Sequence, residues 1–431
     1  MRWLCVRSWF STGPLLGVLL IAGLAAADPY HYVNNLVGNR AADLGGAYTA
    51  IADDTAGCFY NPAGIAMAAG DSISASMNTY IRSVKKYKNT LRGVDGRMMD
   101  WEQEASSLLP NFFGVVKRVG GGWLGLSYAV PDSMEIRQKQ IFYNIRSVYS
   151  GNPVDQFIIN INDSDTTYLF GPSYARRISE KLSLGLTLYA YYRDKQIIRN
   201  QVLQFDQGEH YWINYYDDQQ AWGYRPMLGA IWEPVDKLSI GLTISKIYVA
   251  SSDREQQTLL RDSTAAAPVV IDGTSYDFSD TDTLYINNQN SSNRDEFPLR
   301  TTLGVAWFTS PRFLISADLS YAAEEKDKEA VLNAALGAEY YLKDDIALRA
   351  GFYSDLANTP VLSESKTNQP EHVDNYGISL SLTYFNRSSS ISLGASYALG
   401  SGDAQVVADS PVIQDVEMRT FTIYLAASYA F

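Results

Sequence analysis

The feature that most constrains the fold is a recurring stretch of about ten residues in which apolar and polar side chains alternate. Two copies are nearly identical: LSLGLTLY spans Leu182 to Tyr189, and LSIGLTIS spans Leu238 to Ser245. Successive side chains of a strand point to opposite sides, so each copy has one face of leucine and isoleucine and one of mostly small, polar residues. The first face suits hydrocarbon, and the second suits a small polar interior. This pattern predicts β-strands that cross a membrane.

From Asp71 onward the alternation predicts about fourteen strands, and the connections between them alternate in length. Short turns of two to four residues alternate with longer polar loops. We predict these loops at 84–110, 132–164, 201–219, 253–297, 356–374 and 400–417, with 326–328 as one short exception. Such alternation is typical of a transmembrane antiparallel β-barrel whose short turns face the periplasm, and an even strand count places both termini on that side. The sequence therefore predicts an all-β barrel over residues 71–431.

The composition agrees with a barrel and excludes one class of function. Tyr (30) is nearly twice as frequent as Phe (16), and 46% of the 431 residues are hydrophobic although the mean hydropathy is slightly negative. This combination is expected where polar and apolar residues alternate. The formal net charge of −12 leaves no strongly basic stripe that could neutralise phosphates, so a nucleic-acid partner is not expected.

The first residues have the form of a secretory signal peptide. Arg2 and Arg7 precede an apolar run at 15–24 and a small-residue cleavage site at 25–27, so we predict a signal peptide over residues 1–27. Its removal would leave Cys58 as the one cysteine, and we expect Cys58 to pack as a small hydrophobic residue; a reactive thiol is the alternative. No later apolar run is long enough for a transmembrane helix.

The stretch from Gly38 to Ala66, GNRAADLGGAYTAIADDTAGCFYNPAGIA, resembles neither the leader nor the strands. Its glycines and alanines allow close packing of the backbone. Asn61 can cap a short helix that begins at Pro62, and Asp53 and Asp54 offer a second capping site. We therefore predict that residues 28–70 form a compact, turn-rich domain that packs inside the barrel.

The C-terminus carries a further barrel signal. The last strand ends in TFTIYLAASYAF, with apolar residues at every second position and an aromatic pair, Tyr429 and Phe431, at its end. This ending resembles the assembly signal of bacterial outer-membrane barrels. Tyrosines that recur near strand ends predict aromatic girdles at the two membrane interfaces. They are Tyr128, Tyr174, Tyr321, Tyr340, Tyr397 and Tyr429.

The run GGAYTAIADDTAGCFYNPAGIA resembles the N-terminal hatch of the FadL/TodX-like (OMPP1) family of outer-membrane transport proteins. The resemblance implies a fourteen-stranded barrel plugged by the hatch, and passive uptake of hydrophobic molecules such as long-chain fatty acids or aromatic hydrocarbons. It also implies that the ligand leaves through a kink in the third strand, for which Pro131 is the candidate and plain strand termination the alternative. The matching hatch and gating residues are Gly45, Gly46, Asp53, Asp54, Asn61, Pro62, Ala63 and Gly64.

Two other functions stay open. PorV-type barrels share the hatch motif and serve protein secretion or surface attachment, and a structural barrel or adhesin could act through its outer loops. The partners expected for a transporter are a hydrophobic small molecule, the outer-membrane lipid with lipopolysaccharide, and the barrel-assembly machinery during biogenesis. The expected location is the outer membrane of a bacterium with two membranes.

Catalytic and metal chemistry is not expected. The three histidines, His31, His210 and His372, are far apart in the sequence, so a metal cluster or a catalytic set is improbable. Asp163 and Asp165, and the acidic run at 277–282, could hold Ca²⁺, but solvated loop carboxylates are the better interpretation. We expect no cofactor and no enzymatic activity.

Overall fold

The structure is a computed structural model that describes residues 30–33, 35–146, 153–205, 210–262, 269–271, 274–276, 284–407 and 410–431. The predicted signal peptide and the acidic run at 277–282 lie outside the described residues.

Short helices open the described chain: α1 (Arg40–Asp43), α2 (Gly57–Tyr60) and a 3₁₀ helix (Pro62–Met67). The first strands are β1 (Ser72–Arg92), β2 (Met98–Val119), β3 (Gly122–Arg146), β4 (Pro153–Ser179), β5 (Leu182–Phe205) and β6 (His210–Val235). The middle strands are β7 (Leu238–Ser245), β8 (Tyr248–Asp262), β9 (Val269–Ile271), β10 (Thr274–Tyr276), β11 (Leu284–Ser291) and β12 (Arg300–Ser310). The last are β13 (Phe313–Ala322), β14 (Val331–Lys343), β15 (Ile346–Asp355), β16 (His372–Phe385), β17 (Ser389–Ala404) and β18 (Gln414–Ala430).

The sheet closes on itself as an antiparallel barrel. The first strand pairs with the last, with Ser72 opposite Ala430. β7 and β8 both pair with β6 and form one interrupted strand; β12 and β11 pair with β7 and β8 and form the next. β9 and β10 form a separate hairpin outside this sheet. When each interrupted strand is counted once, the barrel has fourteen strands, as predicted. Within the described residues, no helix has the length and hydropathy needed to cross a membrane.

Burial confirms the predicted facing of the near-identical segments. Leu184, Leu186 and Leu188 are exposed on the outside, whereas Ser183 and Thr187 are buried inside. The alternation therefore places hydrocarbon side chains toward lipid and small polar groups toward the lumen.

An aromatic band crosses neighbouring strands on the outer surface. Tyr168 contacts Tyr128 and Tyr192, and Tyr192 packs on Trp222 with ring centroids 4.2 Å apart. One strand further, Tyr224 stacks on Tyr248 at 5.2 Å. Aromatic rings prefer the interface between hydrocarbon and water, so this band marks the membrane boundary on the long-loop side.

The predicted loops 84–110, 132–164 and 201–219 are wrong in large part, because β1 to β6 extend through most of these residues. The apolar side chains change face along the strands. In β4, Phe170 and Tyr174 point outward, whereas Phe157, Ile159 and Ile161, further toward the long-loop end, are buried inside. The inward residues join an apolar cluster, which we call the outer core. Its fully or nearly fully buried members are Trp101, Ile145, Val154, Phe157, Ile159, Val373, Val406 and Val416.

Candidate functional site

The N-terminal segment (residues 35–67) packs against glycines of the surrounding strands. At eight of these glycines, an added Cβ would overlap atoms of the segment or come closer than a normal contact. They are Gly114, Gly125, Gly185, Gly229, Gly241, Gly304, Gly337 and Gly351. Three pairs lie side by side in the sheet: Gly185 with Gly229, Gly241 with Gly304, and Gly337 with Gly351. The barrel wall is therefore shaped so that strand backbone approaches segment backbone directly.

Residues at the end of the segment occupy the positions predicted for a helix start. Asn61 Oδ1 accepts a hydrogen bond from the Ala63 amide at 3.1 Å, and Pro62 is the first helical residue; both predictions are confirmed, although the helix is 3₁₀. Asn61 Nδ2 also donates to the carbonyls of Thr49 (2.8 Å) and Ala230 (3.1 Å). Ala63 is fully buried, and a Cβ at Gly64 would overlap the Ala52 carbonyl. Asn61 thus joins the segment to the wall as well as capping the helix.

The other predicted hatch residues lie in two turns. Gly45 and Gly46 have φ values of +64° and +86°, which glycine adopts without strain, and Gly45 approaches the Phe352 backbone. Asp54 Oδ1 accepts from the Ala56 amide at 2.8 Å in the turn before α2, and no side chain caps α2 itself. Asp53 binds elsewhere, in an ion pair with Arg40 at 2.9 Å. One of the two aspartates therefore caps a turn and the other forms an ion pair.

A buried ion-pair network, which the sequence did not predict, joins the segment to β14 and β15. Arg40 Nη2 lies 2.8 Å from Glu339 Oε1. Arg349 pairs with Glu339 at 2.5 Å and with Asp43 at 2.7 Å. Glu339, Arg349 and Asp43 are almost completely buried. Removing one partner would leave an uncompensated buried charge, so the network fixes the position of α1 against these strands. The one available signal was that Glu339 and Arg349 lie at lumen-facing positions of their strands.

Cys58 behaves as predicted. Its side chain is fully buried among Ile65, Ala66, Val116 and Ala175. Burial raises the pKa of the thiol to about 11, because a thiolate would lose its solvation. The thiol is therefore protonated and unreactive at neutral pH.

Pro131 does not end its strand, because β3 continues to Arg146; the strand-termination alternative is wrong. Pro131 instead lies at an irregularity. The β3–β4 register shifts between Ala129 and Asp132, and residues 106–111 and 130–135 are not paired between β2 and β3. The Pro131 carbonyl accepts a hydrogen bond from the Asn35 amide at 3.1 Å. The strand backbone at this position is therefore bonded to the N-terminal segment.

A cavity of about 400 Å³ lies between the N-terminal segment and the middle of the barrel. The segment contributes residues such as Leu36, Gly46 and Tyr60, and the strands contribute the remaining surface. The apolar and aromatic lining residues include Phe59, Leu169, Tyr191, Met227, Ile247, Phe297, Pro298 and Tyr353. Pro131 also lines the cavity. A volume of this size with a mostly apolar lining suits a small hydrophobic ligand.

Two arginines that line the cavity, Arg225 and Arg300, differ from its other cations in their partners. Arg225 is buried, lies 5.2 Å from the Phe59 ring centroid and donates to Ser245 Oγ at 3.3 Å. Arg300 lies 5.1 Å from the ring centroid of Tyr32. Within the described part of the chain, neither forms an ion pair with a carboxylate. The two guanidinium groups also repel each other. The cavity therefore holds two guanidinium groups that no carboxylate of the described residues pairs with directly, although Asp355 attracts Arg300 and three aspartates, Asp132, Asp295 and Asp318, also line the cavity.

A third cation, Lys328, lies at the rim, in the loop between β13 and β14. Its ammonium is 4.8 Å from the ring centroid of Phe297 and donates to the Glu296 carbonyl. Burial lowers the pKa of Lys328, and nearby Asp295 opposes this effect.

A layer of ion pairs lies on the long-loop side of the cavity. Asp165 pairs with Arg193 and Asp163 with Arg199, each at 2.7 Å, and Asp217 pairs with Arg254. These aspartates are buried. The prediction of solvated loop carboxylates is therefore wrong for Asp163 and Asp165, since both are strand residues that face arginines. Among the described residues, no group of metal-ligating side chains is assembled.

The histidines are closer together than the sequence suggested. His31 Nε2 lies 2.6 Å from the carbonyl of Val373, the residue after His372. His372 Nδ1 lies 2.6 Å from the Thr359 carbonyl. His31 and His372 are far apart in the sequence, but the start of the segment reaches β16, which brings His31 next to the backbone that follows His372. Both rings bond backbone carbonyls.

Tyr429 and Phe431 lie at the short-turn end of β18. Both rings are exposed and stack at 6.5 Å, and the Phe431 amide donates to the Asp71 carbonyl beside β1. The pair is therefore accessible from outside the barrel.

The sequence model of one family, described as outer membrane protein transport protein (OMPP1/FadL/TodX), matches residues 18–323. No curated protein sequence matches the chain. A FadL homologue of Pseudomonas aeruginosa superposes with a TM-score of 0.63 at 14% identity, over 93% of this chain and 100% of that one. The toluene transporter TodX of P. putida gives 0.60 at 13% identity, over 93% and 99%. The toluene transporter TbuX of Ralstonia pickettii gives 0.56 at 15%, over 92% and 99%. These structures share the fold, and the family model covers more than half of the sequence; the chain belongs to the OMPP1/FadL/TodX family of outer membrane transport proteins.

Proposed function

We propose that this barrel passively takes up hydrophobic molecules that carry an anionic head group, such as long-chain fatty acids. The observation that carries the proposal is the pair Arg225 and Arg300, neither of which pairs with a carboxylate of the described residues, in a cavity lined by aromatic and aliphatic side chains together with polar and charged ones. A buried charge without a partner is costly, and a ligand carboxylate would compensate it through charge-assisted hydrogen bonds. The hydrocarbon tail would contact Leu169, Ile247 and Phe297. A plain aromatic hydrocarbon would leave both arginines uncompensated.

The N-terminal segment would act as the hatch of this pathway. It forms one side of the cavity, so a ligand that continues toward the short-turn end must displace it. The ion pairs of Arg40 and Arg349 hold it in the closed position. Because these contacts join separate elements, they can break without unfolding a strand. Hatch movement, together with a kink at Pro131, would give the path its gates. Binding and passage need no cofactor and no catalysis.

Equilibrium binding to the purified full-length protein tests the head-group preference. We expect oleate to bind more tightly than oleyl alcohol, which has the same tail, and more tightly than toluene. The Arg225→Gln/Arg300→Gln double variant should lose roughly tenfold or more in oleate affinity, because hydrogen bonds to charged groups contribute about 1.5–3 kcal/mol. Its affinity for oleyl alcohol should change little.

The matched control is Arg312→Gln, since Arg312 lies in an exposed turn and its only ion-pair partner in the described structure, Asp344, is also exposed. This variant should bind oleate as the wild type does. Equal affinity of the wild type for oleate and oleyl alcohol would overturn the anionic-head-group proposal. Copurification with secretion-channel subunits, from a barrel that binds none of the three ligands, would favour the PorV-like alternative.

Outer-membrane lipid and the assembly machinery would contact the outer face, the latter through Tyr429 and Phe431.

A further inference from the structure

We propose that the interruption between β7–β8 and β11–β12 is a second side portal, through which membrane-dissolved amphiphiles reach the cavity. The inference rests on the proposed function and adds an entry route between the seventh and eighth barrel strands, whereas Pro131 lies in the third. It is carried by the pairing of these strands, by the course of the segment between β11 and β12, and by the position of the gap on the outer surface.

The gap is a local separation of two strands that otherwise keep one register. Ser245 pairs with Arg300, and Arg254 pairs with Ser291, nine residues further along each strand. Residues 246–253 and 292–299, all within the described chain, are not paired with each other in the sheet. Because the register is the same on both sides, the strands would need no slip to close. The wall can therefore open or close here without rearranging the rest of the barrel.

The residues that leave the wall turn inward and line the cavity. Asp295 pairs with Arg193 at 2.8 Å. The Phe297 ring meets the Tyr191 ring edge-on, with the centroids 5.7 Å apart. The Lys328 ammonium also contacts the Phe297 ring. Pro298, next in sequence, also lines the cavity and has no amide to donate to a sheet. These contacts hold residues 292–299 away from β8, so the gap is maintained by specific interactions.

The gap lies at the membrane boundary. It begins two residues before Tyr248, which stacks on Tyr224 at the edge of the aromatic band. At this depth, unpaired strand backbone is tolerated only where it lines a cavity or meets water. On the inner side, Lys246 and Ile247 line the same cavity as Arg225 and Arg300. The gap thus connects the level of lipid head groups with the proposed carboxylate site.

The packing of the interior favours a side route. The ion-pair layer of Asp163 and Asp165 and the outer core around Trp101 fill the barrel on the long-loop side of the cavity. A ligand that came straight down the barrel axis would have to displace packed, fully buried side chains. A sideways route between two unpaired strand edges avoids the outer core and meets instead the inward-turned side chains of residues 292–299. An amphiphile in the outer leaflet already has its head group at the height of the gap.

Bridging the gap chemically tests the portal. Ser251 and Arg294, both exposed, would face each other if the ladder were continuous. The Ser251→Cys/Arg294→Cys protein is placed in phospholipid nanodiscs and bridged with a short flexible bis-maleimide, which does not require the strands to move together. The association rate of a fluorescent dansyl undecanoate probe should fall about fivefold, as expected when a gating step is blocked. Its equilibrium affinity should not change.

Two controls separate bridging from its side effects. N-ethylmaleimide modifies the same cysteines without joining them and should leave the rate close to that of the wild type. Thr258→Cys/Asn287→Cys places the bridge between the same strands where they are already paired, and it should also have no effect. Native Cys58 is fully buried, and wild-type protein treated with the reagent checks that it does not react.

The outcomes distinguish the two proposals. A slower association with unchanged affinity supports the portal. Complete bridging at 251 and 294 with an unchanged association rate overturns the portal and leaves the carboxylate site standing. A wild-type protein that does not bind the probe at all overturns the carboxylate site, and the portal proposal falls with it.

Discussion

The two halves of the barrel interior are filled in opposite ways. In the short-turn half, a separate chain segment lies with its backbone against strand glycines, and its charges pair with Glu339 and Arg349. In the long-loop half, the strands fill the lumen with their own side chains, around Trp101 and Phe157. A separate segment can shift while the strands stay paired. A core made of strand side chains can open only if the strands separate, so the short-turn half is the part suited to gating.

The largest expected effect comes from the outer core. Trp101 is fully buried and stacks on Tyr87 with centroids 5.0 Å apart. Trp101→Ala should lower the free energy of unfolding by about 3–5 kcal/mol, the usual cost of emptying a large aromatic site. Denaturant unfolding of the purified protein measures it, and limited proteolysis should show the damage at the long-loop end.

Trp101→Phe is the matched control. The indole nitrogen of Trp101 is buried without a hydrogen-bond partner among the described residues, so losing it carries little penalty. Phe should therefore retain most of the stability. If Ala and Phe cost the same, the outer core does not stabilise the barrel by packing.

The next largest effect tests whether the outer surface is apolar in the short-turn half and polar in the long-loop half. Leu242 is 40% exposed on the outside of the short-turn half, where the surface meets lipid. Leu242→Arg should cost roughly 2–4 kcal/mol if the residue lies near the middle of the membrane. Asn162, outward-facing on β4 beyond the aromatic band, is the control, and Asn162→Arg should be tolerated. Unfolding from lipid vesicles provides the measurement; equal costs would mean that both residues contact the same medium.

The change of the apolar side chains from the outer to the inner face also explains which parts of the fold the sequence could predict. The membrane part of each strand has one apolar face, so strand count, facing and closure could be read from the alternation around LSLGLTLY and LSIGLTIS. From Asp163 back to the long-loop end at Pro153, the apolar residues of β4 lie on the opposite face, so these residues do not continue the alternation and the sequence predicts a loop there. For the same reason the sequence predicts solvated polar side chains there.

The cavity residues could not be predicted because they come together only through the closed sheet. Arg225 and Arg300 lie on strands that β7 separates, and each has an unremarkable sequence context. Asn61 and Pro62, in contrast, act through neighbours in the chain, so capping rules predicted their geometry. The glycines were a missed signal: Gly185 and Gly241 occupy equivalent positions in the two near-identical segments, where a side chain would meet the N-terminal segment.

A smaller effect is expected at these glycines. A Cβ at Gly241 would overlap the Thr49 carbonyl of the N-terminal segment. Gly241→Ala should destabilise the protein by about 1–3 kcal/mol through overpacking, provided that the segment lies where its contacts indicate. Gly70→Ala is the control, because a Cβ there would meet nothing within 4 Å. Equal melting temperatures for the two variants would contradict this position of the segment.

The smallest loss of stability is expected for Asn61→Ala, which also tests the role of the N-terminal segment in uptake. Asn61→Ala removes the helix cap and the bonds to Thr49 and Ala230, at a cost of about 0.5–2 kcal/mol that falls on the N-terminal segment and not on the strands. Hydrogen exchange should therefore quicken at residues 57–67 while the outer core stays protected. Combined with Pro62→Ala, the change should alter uptake of labelled fatty acid in a strain that lacks other transporters. A loosened segment with unchanged uptake would mean that the segment is a structural support, and the contrast between a movable half and a fixed half would then have no role in transport.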